Sequence, residues 1–264
     1  MAIDYPGLEK LERKTYAPFG RCIYCDSTEE LTDEHIIPFG LGGTLVLPES
    51  SCRDCADKTS KIERKVLRGE LWPVRIHRAL RSRRKHRHAP KKYPLTIIRK
   101  NQEEVVEVPL EELPILVPFL EFAPARLAVG QESKDGIDVK GIVTVSFGPS
   151  PEEALRRLGG TAIKPYVRTH PVPFARMVAK IGYAMAAATR ALEVIEHPSP
   201  IRPIILGENA NIGDYVGTLD YPLRAHADQI HRVVVSADRK LGQLVADVHI
   251  FSDSSAPRYG VLLG

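Results

Sequence analysis

Apolar and polar residues alternate in some stretches of this 264-residue chain and recur at helical spacing in others. Leu31 to Pro38 and Thr44 to Leu47 read as two strands joined by Phe39-Gly40-Leu41-Gly42-Gly43, whose glycines permit the backbone angles of a tight turn. Ala56 to Arg68 contains no Gly or Pro, sets Ile62, Val66 and Leu67 at helical spacing and meets Gly69 as a stop. A second helix is expected over Val74 to Arg84, with Val74, Ile76, His77 and Leu80 on one side and arginines on the other. His88-Ala89-Pro90 breaks that pattern, which places a domain boundary near residue 90.

The pattern beyond residue 90 is different. Leu95 to Ile98 and Val105 to Val108 look like paired strands, and Val139 to Phe147 alternates around Ile142, Val143 and Val145. Pro151 to Leu158 reads as a short helix capped by Ser150 and ended by Gly159-Gly160. The longest helical pattern is Pro173 to Glu196, where Phe174, Met177, Val178, Ile181, Met185, Ala188, Leu192 and Ile195 form an apolar stripe. Arg232 to Val235, Gln243 to Phe251 and Tyr259 to Leu263 supply further strands. The fold class is therefore α+β: a small N-terminal unit over residues 1–90, then an α+β domain over 91–264 with a mainly antiparallel sheet. The sequence assigns that second domain no role.

Charge changes this picture by its location. The net charge is +4, but residues 1–92 carry 19 Lys/Arg against 13 Asp/Glu, a net of +6, which leaves −2 for the remainder. Much of the excess follows residue 74, in Arg75, Arg78, Arg81, Arg83, Arg84, Lys85, Arg87, Lys91 and Lys92. A basic strip of this kind suits a polyanion, because Lys and Arg contacts to phosphates are the sequence-independent part of nucleic-acid affinity. His77, His86 and His88 read as part of the same basic surface. No apolar run approaches the roughly 20 residues of a membrane span. The polar start MAIDYPGLEKLERK lacks the apolar core of a secretory signal, so a cytoplasmic protein with no membrane partner is expected.

All four cysteines fall in two Cys-x-x-Cys pairs, Cys22/Cys25 and Cys52/Cys55. Each pair can grip one ion from a tight knuckle, and two knuckles complete a closed tetrahedral Zn²⁺ site. A disulfide framework conflicts with the expected compartment, a redox pair would explain one Cys-x-x-Cys but not two, and iron-sulfur proteins usually space their ligands differently. The 26 residues between the knuckles exceed the roughly 15 to 20 of a plain zinc ribbon, and they house Asp33-Glu34-His35.

Together Cys22-x-x-Cys25, Leu31-Thr32-Asp33-Glu34-His35-Ile36-Ile37-Pro38, Leu41-Gly42-Gly43 and Ser51-Cys52-x-x-Cys55 resemble the HNH endonucleases, whose ββα-metal module carries a carboxylate-His pair between two zinc knuckles. The resemblance covers about residues 20 to 68. It implies an N-terminal HNH module that hydrolyses phosphodiester bonds in nucleic acid, DNA being the expected substrate. His35 matches the general base that deprotonates water, a task suited to an imidazole titrating near 6.5. Glu34 matches a ligand of a catalytic Mg²⁺ or Mn²⁺, a hard cation that takes oxygen donors.

This chain departs from the family pattern at two places. Relatives often carry Asn or His directly after the last knuckle cysteine, where the metal site is completed; here that residue is Ala56. No Asn lies near Leu47 to Ser51, where the family places the residue that orients the base. On the helix beginning at Ala56, Thr59, Ser60 and Glu63 share its face, and Glu63 is the best replacement ligand. Lys58, Lys61, Arg64 and Lys65 on the same helix, together with Arg81, Arg83, Arg84, Lys85 and Arg87, are the candidate phosphate contacts. The rival expectation is a non-catalytic zinc-finger nucleic-acid binder, favoured by Ala56 and opposed by Glu34-His35. A third has the C-terminal domain carrying a separate activity that the zinc module targets. Oligomeric state is left open, a homodimer included.

Overall fold

The structure is a computed structural model and describes residues 13–80, 91–165, 168–195, 199–220 and 229–264. The expected boundary near residue 90 and the candidate contacts Arg81, Arg83, Arg84, Lys85 and Arg87 lie outside the described residues.

The N-terminal part runs β1 (Lys14–Thr15), β2 (Leu31–His35), β3 (Leu45–Cys52), α1 (Arg53–Arg68) and α2 (Trp72–His77). β2 and β3 pair antiparallel with Glu34 opposite Leu47 and His35 opposite Val46, and β1 adds to β3 in parallel. The first strand is shorter than expected. The second is longer, continuing past Pro48 through Glu49-Ser50-Ser51 to Cys52, polar residues whose pairing with β2 no apolar alternation advertises. The turn between them closes on itself: a side chain at Gly43 would lie 1.9 Å from the Ile37 carbonyl oxygen.

α1 begins at Arg53, earlier than expected, because Cys52 is its extended N-terminal cap and the knuckle residues Asp54 and Cys55 form its first turn. α2 ends at His77 and the backbone turns through Ala79 at φ +47°. The expected helix to Arg84 is thus interrupted within its first half.

The remainder comprises β4 (Lys92–Arg99), β5 (Gln102–Pro109), β6 (Ile115–Phe122), β7 (Val139–Phe147), α3 (Pro151–Leu158), β8 (Ala162–Lys164), α4 (Pro171–Ala188), α5 (Ile201–Leu206), β9 (Val216–Thr218), β10 (His231–Asp238), β11 (Gln243–Ile250) and β12 (Arg258–Leu262). Its strands form three antiparallel groups in the orders β10-β11-β12-β9, β5-β4-β8 and β6-β7. The mixed α and β composition with antiparallel sheets follows the sequence reading. β7 and α3 keep their expected limits, and the Ser150 hydroxyl accepts from the Glu153 amide as the cap.

α4 organises the molecule. It lies between α1 on one side and the β10-β11-β12 sheet on the other, and every residue from Met177 to Ala187 is buried. Gly182 makes the close approach to the sheet possible, since a Cβ there would stand 2.8 Å from Ala246 Cβ. The apolar stripe read from the sequence is thus only one flank of a helix covered on all sides. It ends at Ala188, short of the expected Glu196, as Thr189 Oγ1 donates to the Met185 carbonyl and Arg190 turns left-handed. Glu196 lies outside the described residues. A single apolar cluster runs from Cys22 and Ile36 through the α4 face to Leu263, so the two parts of the chain share one core.

Candidate functional site

The two knuckles meet at the junction of β3 and α1. Their four sulfur atoms lie within 4.8 Å of one another, and Cys25 and Cys52 are 3.6 Å apart. Thiolates bound about 2.3 Å from a tetrahedral zinc sit about 3.8 Å apart, so the cluster fits a structural metal such as zinc. Cys22 and Cys55 are buried while Cys25 is exposed. Hydrogen bonding between Cys22 and Cys55 brings the Cys22 thiol down to about 4 and pushes that of Cys55 up.

On β2 the side chains alternate as the strand pleat demands: Asp33 is exposed, Glu34 is buried and His35 is half-buried. His35 presents its ring edge to Phe39, with centroids 5.5 Å apart. It opens onto a cleft of about 2350 Å³ whose one wall is a face of α1, comprising Arg53, Asp57, Ser60, Glu63, Arg64 and Arg68. The opposite wall comes from Trp72 and from the β4-β5 region, including Tyr93, Leu95 and Val105. Trp72 is the chain's single tryptophan and is 41% exposed.

The side chains of Glu34 and Glu63 converge on one point. The cation they converge on is the ammonium of Lys180, from the middle of α4. Lys180 Nζ bonds Glu34 Oε1, lies 3.0 Å from Glu63 Oε1 and donates to the backbone carbonyl of His35. The Tyr24 hydroxyl, 3.4 Å away, donates to the other Glu34 oxygen. Burial raises the Glu34 carboxyl against the pull of Lys180, because one ammonium is shared between two carboxylates. For Lys180 burial acts downward, but the charges of Glu34 and Glu63 outweigh it and hold the ammonium above its ordinary value.

The catalytic divalent ion implied by the family does not fit these side chains as they stand. Both candidate carboxylates are already engaged by a charge-bearing group at contact distance. Ala56 has no donor atom, and Thr59 Oγ1 is turned to the Cys55 and Ala56 carbonyls of its own helix. Ser50, near the position of the family's missing Asn, donates to the Leu47 carbonyl.

The candidate phosphate contacts divide. Arg64 lines the cleft, as do Arg53 and Arg68, which the sequence did not single out. Lys58 lies on the zinc side and pairs with Glu208 at 2.7 Å. Lys61 and Lys65 are exposed but outside the cleft lining. Two members of the basic strip have internal tasks. Arg75 donates to the Gly40 and Leu67 carbonyls. Arg78 pairs with Asp253 at 2.8 Å and lies over the Phe147 and Phe251 rings. His77, expected on the basic surface, is 1% exposed and faces Gly148. α2 lies against the body of the protein through β6, which covers that side.

Sequence reasoning missed what the second half contributes. Among the described residues, backbone carbonyls of the knuckle and hairpin accept hydrogen bonds from its side chains: Ile23 from Tyr183, Tyr24 from Arg202, His35 and Ile36 from Lys180, and Leu41 from His231. The available signal was Lys180 itself, the one charged residue between Met177 and Thr189 in an otherwise apolar and small-residue helix.

A carboxylate-His pair on a hairpin, tied to a helix by a four-cysteine cluster, is the class of site defined by this geometry. Residues 22–69 match the family model described as HNH endonuclease, the segment that holds both knuckles, β2, β3 and all of α1. No curated protein and no solved structure matches the chain. Among the described residues, no helix is long and apolar enough to cross a membrane.

Proposed function

We propose that the chain is an HNH-type endonuclease that hydrolyses phosphodiester bonds in nucleic acid, with DNA as the substrate and His35 as the general base. The observation that carries this reading is the position of His35 on the wall of a large cleft, facing a helix surface that bears Arg53, Arg64 and Arg68. The HNH match over the same residues supports the same chemistry. In the reaction a water oxygen attacks phosphorus, His35 takes the water's proton, and the phosphorus-oxygen bond to the leaving group breaks as that oxygen takes up a proton from solvent. The arginines offset charge on the phosphate, as fixed donors do where charge develops in a transition state. Zn²⁺ held by Cys22, Cys25, Cys52 and Cys55 supports this arrangement from behind by fixing the end of β3 to the start of α1, in a ββα-metal frame. Residues 91–264 form the second domain, whose role here is to brace that frame. The finer expectation of Mg²⁺ or Mn²⁺ on Glu34 and Glu63 enters no step, because Lys180 engages both.

The test is incubation of the zinc-loaded chain with supercoiled plasmid and with single-stranded DNA and RNA, followed by gel resolution and end-group analysis. Nicked products ending in 5′-phosphate and 3′-hydroxyl support hydrolysis. A second reading, a zinc-stabilised nucleic-acid binder without cleavage, is favoured by Ala56 and by the engagement of Glu34. A salt-sensitive gel shift with intact substrate under all ionic conditions decides for it.

A further inference from the structure

Glu34, Glu63 and the carbonyl of His35 come from one strand and one helix of the N-terminal part, and their oxygens surround a single point. Two carboxylates and a carbonyl converging in this way make a shell suited to a hard cation. The Ile36 carbonyl, 3.5 Å from the same point, extends it. What occupies the point is Lys180 Nζ, whose side chain is 3% exposed, against 7% for Glu34 and 18% for Glu63. The ammonium arrives on a helix buried along its whole middle, and its side chain lines the same cleft as the two carboxylates.

We propose that Lys180 is the resident cation of this site: its ammonium stands where a divalent ion would otherwise lie between Glu34 and Glu63. While Lys180 is present the carboxylate pair binds no divalent ion, and removing the ammonium creates a site that does. Its consequence for catalysis rests on the nuclease reading above: strand cleavage by the native chain is unresponsive to added Mg²⁺ or Mn²⁺. Lys180 is a positioning residue in that scheme, since it touches Glu34, Glu63 and the backbone of His35, and through them holds the strand that carries the base.

Electrostatic repulsion opposes a shared site. A divalent ion at the same carboxylates would stand within a few ångströms of a buried ammonium, and like charges at about 4 Å repel by roughly 4 kcal/mol per pair of unit charges even at an effective dielectric constant of 20. Lys180 lines the cleft beside Glu34 and Glu63, and its ammonium is held there by both carboxylates and the His35 carbonyl.

Mn²⁺ binding to the zinc-loaded full chain, read by electron paramagnetic resonance as loss of the free-ion signal, tests the proposal without reference to activity. Wild-type protein is expected to leave the free Mn²⁺ signal unchanged at micromolar concentrations. Lys180→Met is expected to bind one Mn²⁺ per chain at least tenfold more tightly, and the added substitution Glu63→Gln to abolish that site. Lys180→Gln, which keeps hydrogen-bond donors toward the carboxylates, serves if the methionine variant does not fold. Stoichiometric Mn²⁺ binding by the wild type that Glu34→Gln removes would overturn the proposal, and so would absence of new binding in a folded, zinc-loaded Lys180 variant. Failure of the nuclease reading has a separate signature, no cleavage by any form of the protein, and leaves these binding outcomes as they are.

Discussion

Lys180 and Glu34 lie 146 positions apart in the chain, yet their side chains form a buried ion pair. Glu34 is thereby tied to the central helix of the C-terminal part. Breaking a buried pair by removing one partner typically costs about 3 to 5 kcal/mol, since a charge is left without compensation. Lys180→Met should therefore lower unfolding free energy by that amount in urea titration, and Glu34→Gln in the same background should restore part of it. A loss below about 1 kcal/mol for Lys180→Met would contradict the buried arrangement.

The four-cysteine cluster predicts one zinc per purified chain. Structural zinc contributes folding free energy directly, so Cys52→Ser or a strong chelator should release the metal and lower the melting temperature markedly. Elemental analysis with thermal melting checks both, and a chain that contains no metal but melts normally would remove zinc from the account.

Acid should destabilise the protein through His231. Burial lowers this imidazole to about 4, although the bond to the Leu41 carbonyl acts the other way. The geometry explains the direction: Nε2 lies 2.8 Å from the Leu41 carbonyl, to which it donates, and Nδ1 accepts from the Phe251 amide, so a second ring proton would face a donor. An unfolded histidine titrates near 6.5. The stabilisation is thus fully present above about pH 6.5 and is lost as pH falls toward 4, by at most about 3 kcal/mol. Melts across that range should show the loss, and His231→Gln should flatten it.

The arginines of the cleft should dominate nucleic-acid binding over the lysines of α1. Arg64→Ala and Arg68→Ala are each expected to weaken binding and reduce the slope of log affinity against log salt by about one. Lys58→Ala should change neither, since Lys58 is paired with Glu208 on the other side of the helix. Salt titrations by fluorescence anisotropy separate these cases.

The hairpin, α1 and the cysteine cluster were legible in the sequence because each has a local signature: glycines in the turn, a run free of Gly and Pro, and paired Cys-x-x-Cys. Helix spacing put Glu63 on the face of Ala56 but left open whether it meets Glu34. Lys180 was not legible, because nothing local distinguishes a lysine that pairs across 146 residues from one that reaches solvent. α2 was overread, as a positive φ at Ala79 interrupts it with no Gly or Pro to announce the break. β6 was missed for a related reason: its residues Ile115–Phe122 contain Pro118 in a pattern buried on both faces, which lacks the alternation of a half-exposed strand. The basic strip misled where Arg75 and Arg78 bind backbone carbonyls and Asp253 inside the structure.

Hydrolysis by His35 is tested most directly by the nicking rate of supercoiled plasmid by wild-type and His35→Ala proteins of equal zinc content and equal DNA affinity. Loss of a general base lowers rates by about 10² to 10⁴, so a fall of at least about a hundredfold is expected with binding retained. Equal nicking rates for the two proteins would contradict it.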